Sequence, residues 1–326
     1  YDFVSVLNLF TIIRFANEAC SVEGGTCFHE AECKSLGGVA KAPCAKGYGV
    51  CCYLEASCGD RTSISGSVFV GGSTNGTCTY TIDKLHCAKQ IRLDFLQLEL
   101  THPEEGNCLK EKFVVTGVNK NFVVPEICGS NTGRHMYLDV DETSGPIKLS
   151  VVSPLVNPFR IKVRQLCRTD PLLAPNNCLQ YYTGRRGTIS SFNYVLPPLR
   201  STYMNNLNYA ICIKKEAGSC SIVYTNMPTN GTEYPFEINN VDPDDGTPTI
   251  PPGQAGAEVF NCPDDYITIG GIRLCGQKLN DASVQIDFTK NYPVTDTSQG
   301  PFIIGVRTNG AFSGRGFRFD YEQKPC

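Results

Sequence analysis

The chain has 326 residues, a formal net charge of −3 and 18 cysteines. So small a charge excludes a nucleic-acid or anionic-membrane footprint, and no apolar run approaches the ~20 residues of a spanning helix. An even, high cysteine count excludes a reducing compartment and points to a disulfide framework, secreted and extracellular.

Residues 3–15 form an apolar run broken by Ser5, Asn8 and Arg14. It lacks the basic start of a signal peptide, so the chain reads as already processed. The run is expected to be a strap, or a strand that docks on a later domain or adds to a neighbour's sheet edge. With the segment that follows it makes up a first unit, residues 1–57.

Residues 20–58 are dense in cysteine: Cys20, Cys27, Cys33, Cys44 and the adjacent pair Cys51 and Cys52, ahead of Cys58. Glycines at 24, 25, 37, 38, 47 and 49 leave little room for long regular elements. So small a unit cannot bury enough apolar area alone and needs covalent staples. Six cysteines allow many connectivities, and spacing does not choose among them. A zinc site is the rival reading, but no C-x-x-C spacing is present and only His29 is near.

Residues 58–167 carry strand candidates at 67–70, 78–82, 91–100, 113–115, 122–124, 136–140, 147–152 and 159–166. Ile91, Leu93 and Phe95 alternate with Arg92 and Asp94, and the apolar phase then slips to Leu96, Leu98 and Leu100. A one-residue slip exchanges the faces of a strand, so a bulge or a change of packing is expected near Phe95. Phe159, Ile161 and Val163 alternate with Arg160, Lys162 and Arg164, giving one core face and one solvated face. No segment has a helical period. The pattern is all-β, an antiparallel sandwich or barrel. Residues 168–177, RTDPLLAPNN, are too short a linker to let domains wander freely.

Residues 178–326 repeat the plan. Each large unit has six cysteines: 58, 78, 87, 108, 128 and 167, then 178, 212, 220, 262, 275 and 326. In each the fourth precedes an aromatic strand, the fifth sits in Cys-Gly and the sixth closes the unit. This is an internal duplication. The second copy holds an insertion, residues 226–258, rich in Pro, Asn, Asp and Gly, which reads as an exposed loop. Its Asp242, Asp244, Asp245 and Gly246 lack EF-hand spacing. Glycosylation sequons lie at Asn75 and Asn230.

At this point the residues carry a resemblance. CTYTI, QIRLDF, FVVTG after Cys108, and EICG resemble a CUB domain, as do CPDDYITI, RLCG and SGRGFRFDYEQ in the second copy. The cysteine-dense segment resembles the clip module that precedes arthropod serine proteases. LFTIIRFANEAC, GVCC, NTGRHMYLDV and CLQYYTG with GTISSFNY are similar to secreted arthropod proteins with a cysteine module, two CUB domains and no protease domain. The resemblance implies two disulfide-stapled antiparallel CUB β-sandwiches after a small cysteine-rich module. It implies Cys20–Cys51, Cys27–Cys44 and Cys33–Cys52 in the module. In the copies it implies Cys58–Cys78, Cys108–Cys128, Cys178–Cys212 and Cys262–Cys275, leaving Cys87 with Cys167 and Cys220 with Cys326. A rival scheme pairs Cys78 with Cys87 and Cys58 with Cys167.

Many CUB domains bind calcium through a carboxylate at the end of the long strand, an Asp three residues after the third family cysteine and an Asp in a late loop. The corresponding positions of the first copy are Thr101, Glu111 and Ser153, where the site looks lost. In the second, Asp265 fits and the late loop offers Asn309, so calcium is an expectation there and otherwise no cofactor is implied.

Catalysis has no marker. His29, His86, His102 and His135 form no zinc-binding H-E-x-x-H, and no Gly-x-Ser-x-Gly elbow is present. His135, between Arg134 and Met136, reads as a turn or packing histidine. Arg185 and Arg186 read as an exposed basic turn, with proteolytic cleavage as the rival. Tyr181, Tyr182, Phe192 and Tyr194 read as packed aromatics. The leading expectation is a secreted, non-enzymatic interaction protein whose partners are extracellular proteins or glycans. The alternatives are a structural subunit of an extracellular assembly or fibre, oligomerising through the N-terminal strap, and a cofactor of a clip-type protease cascade.

Overall fold

A computed structural model describes residues 14–72, 75–196, 201–226, 235–242, 244, 246–281 and 284–326. The strap residues 1–13 and the sequon at Asn230 lie outside them. Among the described residues the fold is nearly all β, in five sheets.

The cysteine-rich segment is a three-stranded sheet, Thr26–Phe28, Gly49–Tyr53 and Val39–Cys44, with the second strand central. One short helix, Glu30–Ser35, lies beside it. Cys20–Cys51, Cys27–Cys44 and Cys33–Cys52 staple it. Cys51 and Cys52 alternate along one strand, so their side chains leave opposite faces and take different partners.

The next unit is two sheets face to face. One runs His135–Asp139, Ala88–Gln97, Phe159–Cys167, Ser67–Gly71, Glu55–Ala56; the other runs Arg61–Thr62, Gly76–Ile82, Ile147–Ser153, Lys112–Thr116. Phe69 meets Tyr80 at 5.4 Å and Phe95 meets Phe113 at 5.6 Å, each pair bridging the two sheets. Ile91, Leu93, Ile161 and Val163 are fully buried between them. The register against Phe159–Cys167 steps between Arg160 and Ile161, whose partners are Gln97 and Phe95. Leu96 is therefore the extra residue of a bulge, and Leu98 and Leu100 return to the core.

The segment 122–124 is not a strand. Asn119 Oδ1 accepts the Asn121 amide and its carbonyl accepts the Phe122 amide at 2.9 Å, so a side-chain-closed turn replaces the ladder. Phe122 reaches the core from that turn.

The same pairing order recurs downstream. Ser219–Thr225 lies beside the closing strand Gly316–Pro325, as Ala88–Gln97 lies beside Phe159–Cys167. Asn208–Ile213 pairs with Phe302–Arg307, which pairs with Tyr266–Ile269, as Gly76–Ile82, Ile147–Ser153 and Lys112–Thr116 do. Six disulfides hold the two sandwiches: Cys58–Cys78, Cys87–Cys167, Cys108–Cys128, Cys178–Cys212, Cys220–Cys326 and Cys262–Cys275. No cysteine is free.

Candidate functional site

Two buried carboxylates occupy equivalent places, three residues past Cys108 and Cys262. In the first sandwich Glu111 is 1% exposed. Its Oε2 accepts the Thr101 amide at 2.6 Å, the Thr101 hydroxyl at 2.5 Å and Asn157 Nδ2 at 3.0 Å; its Oε1 accepts the Ser153 hydroxyl. Burial pushes this carboxyl up, but the donors from Ser153, Thr101 and Asn157 outweigh it and hold Glu111 below its usual range. Thr101, Glu111 and Ser153 do converge, joined by hydrogen bonds to the Glu111 carboxylate.

In the second sandwich Asp265, also 1% exposed, accepts the Tyr203 hydroxyl on Oδ2 at 2.6 Å and the Asn309 amide on Oδ1 at 2.6 Å. Asn240 braces its backbone: Oδ1 accepts the Asp265 amide at 3.0 Å and Nδ2 donates to its carbonyl at 2.7 Å. Burial raises Asp265 to about 6, against the donors Tyr203 and Asn309. The residues in place do not fit calcium, which takes about six to eight oxygens. Both oxygens of Asp265 already accept, and Asn309 offers its N–H to Asp265 while its side-chain oxygen accepts the Ala311 amide at 2.8 Å. Among the described residues no three His, Cys, Asp or Glu side chains are grouped to hold a metal.

The densest polar chemistry lies in the seam between the two sandwiches. Arg134, at the end of a loop of the first, donates to the Ser191 carbonyl at 3.1 Å, the Tyr194 carbonyl at 2.5 Å and the Ser190 hydroxyl at 3.2 Å, all in the second. Asn193 returns the exchange. Its Oδ1 accepts the Ser130 amide at 2.9 Å and meets His102 Nδ1 at 2.9 Å, and its own amide donates to Asn131 Oδ1 at 3.0 Å. Asn193 sits at φ 57°, a left-handed conformation that asparagine tolerates better than most residues. Gly129 makes room for it: a Cβ there would stand 2.0 Å from Asn193 Oδ1.

His135 closes the same seam. Its Nε2 accepts the Tyr181 amide at 3.1 Å, its carbonyl accepts Gln180 Nε2 at 3.4 Å, and its ring meets Tyr182 edge-on at 4.8 Å. Burial, then the Arg92 charge, lower it to about 4, so it is neutral at physiological pH. It packs, and does so between units. Of the other histidines, His29 and His86 are exposed. Phe192 and Tyr194 are buried, and Tyr181 and Tyr182 half-buried.

Arg185 and Arg186 are exposed, and both guanidiniums have partners. Arg185 donates to the Ala217 carbonyl at 2.6 Å, and Arg186, in strand Arg186–Ser190, pairs with Glu322. Arg186 pairs with Glu322 in the register of Gly316–Pro325, and the Arg185 carbonyl accepts the Gln323 amide at 2.8 Å. Asn75 is exposed in the turn before Gly76–Ile82, where a glycan has room. In the acidic run the Asp242 carbonyl accepts the Gly246 amide at 2.9 Å, and Asp245 lies outside the described residues.

Sequence reasoning passed over Arg134, Asn131 and Asn193. The one signal was their company: NTGRHMY and SSFNY pair polar residues with aromatics where alternation stops.

Residues 175–324 match the family of animal CUB domains. The match takes in the second sandwich, its closing strand and the end of the linker. Among solved structures the chain is similar to the CUB1-EGF-CUB2 domains of rat MASP-1, at 16% identity over 76% of this chain and 92% of that one, with a TM-score of 0.26. For the CUB1-EGF-CUB2 domain of human MASP-1/3 the values are 16%, 77%, 94% and 0.28. The full extracellular region of zebrafish Gpr126/Adgrg6 matches at 12% identity, 82% of this chain and 34% of that one, with a TM-score of 0.27. No curated protein matches the sequence.

Proposed function

We propose that the chain is a secreted, non-enzymatic interaction protein that presents two CUB-type sandwiches as one rigid body to an extracellular protein partner. The observation that carries this is the seam. Side chains from each sandwich spend their hydrogen bonds on the backbone of the other, so loops from both hold a fixed spacing. The CUB match over residues 175–324 supports the interaction role. The disulfide framework supports an oxidising, extracellular setting. The first sandwich shares the strand order and cysteine plan of the second, which supports reading it as a further CUB copy after a clip-like module.

The test is crosslinking capture by the glycosylated, oxidised chain in the fluid it is secreted into, with light scattering of the purified chain alongside. A saturable protein partner bound by a monomer supports the proposal. A large discrete homo-oligomer with no partner contradicts it and favours the assembly subunit. Acceleration of a clip-protease cascade with no stable partner favours the cascade cofactor.

A further inference from the structure

We infer that the cavity between the cysteine-rich module, the outer face of the first sandwich and the linker binds an acidic peptide segment, taking a side-chain carboxylate with an apolar neighbour. This rests on the interaction reading above and names the chemistry of the partner. The floor of the cavity is the solvent face of the strands Ala88–Gln97 and Phe159–Cys167. Their register sets Arg164 opposite Arg92 and Lys162 opposite Asp94. Residues so paired have Cβ atoms about 4.5–5.5 Å apart, and like charges at that spacing are destabilising. Three cations of the floor therefore crowd one carboxylate, and Arg134, whose hydrogen bonds go to Ser190, Ser191 and Tyr194, also lines the cavity.

The single carboxylate is already committed. Arg92 Nη2 donates to Asp94 at 2.7 Å, and Arg92 Nη1 to the Tyr137 hydroxyl at 2.9 Å. Lys162, 3% exposed, donates to the Gly25 carbonyl at 2.8 Å, so the module roofs it. Burial, followed by repulsion from Arg164, lowers Lys162 to about 8. Arg164 is half-buried and has no hydrogen bond or ion pair among the described residues. It is the one guanidinium of the floor left to bind, and its planar fork suits a carboxylate.

The walls choose the rest of the ligand. The cavity holds about 480 Å³, within the range of ligand sites. Its sides are Val22 of the module, Leu96 of the bulge and Leu172 of the linker. The bulge turns Leu96 out of the core to stand there. Apolar walls above a cationic floor match an acidic side chain beside an aliphatic one. A sulfated sugar would set hydroxyls against those walls and leave them undesolvated.

The test uses the full oxidised chain and a fluorescein-labelled, capped Leu-Asp-Leu peptide, read by anisotropy. Saturable binding is expected, weakened by salt. The Leu-Asn-Leu peptide, and the Arg164→Gln protein, should each bind roughly tenfold more weakly. Arg164→Gln relieves the repulsion from Arg92 and Lys162 and should not lower the melting temperature, and Arg164→Lys should recover part of the affinity. Equal binding of both peptides, or an unaffected Arg164→Gln, would overturn the site, as would binding of a sulfated disaccharide in place of the peptide. If a native partner is captured equally well by Arg164→Gln, this site fails and the interaction reading stands. If the peptide binds as stated but no native partner exists, the interaction reading fails instead.

Discussion

Asn193 and Ser130 meet across the seam of the two sandwiches, where Asn193 Oδ1 accepts the Ser130 amide at 2.9 Å. The residues are remote in sequence, and the contact depends on the bare α-carbon of Gly129, at φ +75°. Gly129→Ala drives a methyl into the amide and strains the backbone at once. It should cost about 2–3 kcal/mol and open the linker, residues 168–177, to protease. Urea melts read the first effect and timed proteolysis the second; a variant cut no faster than wild type would contradict the account.

His135 ties the seam to pH. Its ordinary value of 6.5 falls to about 4 in the fold. A histidine held neutral contributes stability that is whole above about pH 6.5 and drains as pH falls toward 4, a loss of about 3 kcal/mol. His135→Gln keeps an acceptor for the Tyr181 amide and has no such titration. Its stability should fall less than wild type's across that window. Parallel curves would show that His135 titrates freely.

Asp265 works with the opposite sign. Its carboxyl rises from 3.8 to about 6, so its contribution is whole below pH 3.8 and is lost as pH climbs through 6. Asp265→Asn cannot lose it. Relative to wild type, the variant should gain about 2–3 kcal/mol between pH 4 and 6.5. A flat difference in denaturant midpoints would refute the buried assignment.

Glu111 accepts donors from Thr101, Ser153 and Asn157. Glu111→Gln replaces one accepting oxygen by a donor that faces donors. The expected cost is about 2–4 kcal/mol. Chelation should change little: calcium or EDTA should move the melting temperature by less than about 1 °C, since Tyr203 and Asn309 already occupy both oxygens of Asp265. A larger rise with calcium would place an ion at Asp265.

What the sequence made legible is what repeats. Ile91, Leu93 and Phe95, and Phe159, Ile161 and Val163, announced half-buried strands by alternation, and all six are in the core. The phase slip after Phe95 has its counterpart in the bulge at Leu96. Phe122 misled because an aromatic followed by two valines mimics a strand, and the Asn119 turn that overrides it depends on one side-chain oxygen. The seam left no periodic trace. Arg134 to Tyr194 and Asn193 to Ser130 are loop-to-backbone bonds across 60 or more residues, and hydrogen-bond geometry of that reach is set only once both sandwiches exist. Asp265 was visible as a candidate ligand, but its saturation by Tyr203, outside the pattern considered, was not.

The rigid pairing of the sandwiches is most directly tested by amide hydrogen exchange in the intact, oxidised chain, read at Ser130, Tyr181 and Asn193. Each of these amides donates to a side chain of the other unit. The account predicts exchange as slow as that of core strands such as Ala88–Gln97, and selective acceleration in Gly129→Ala. Fast exchange at all three amides in the wild type, with protected strands on either side, would mean that the units move independently.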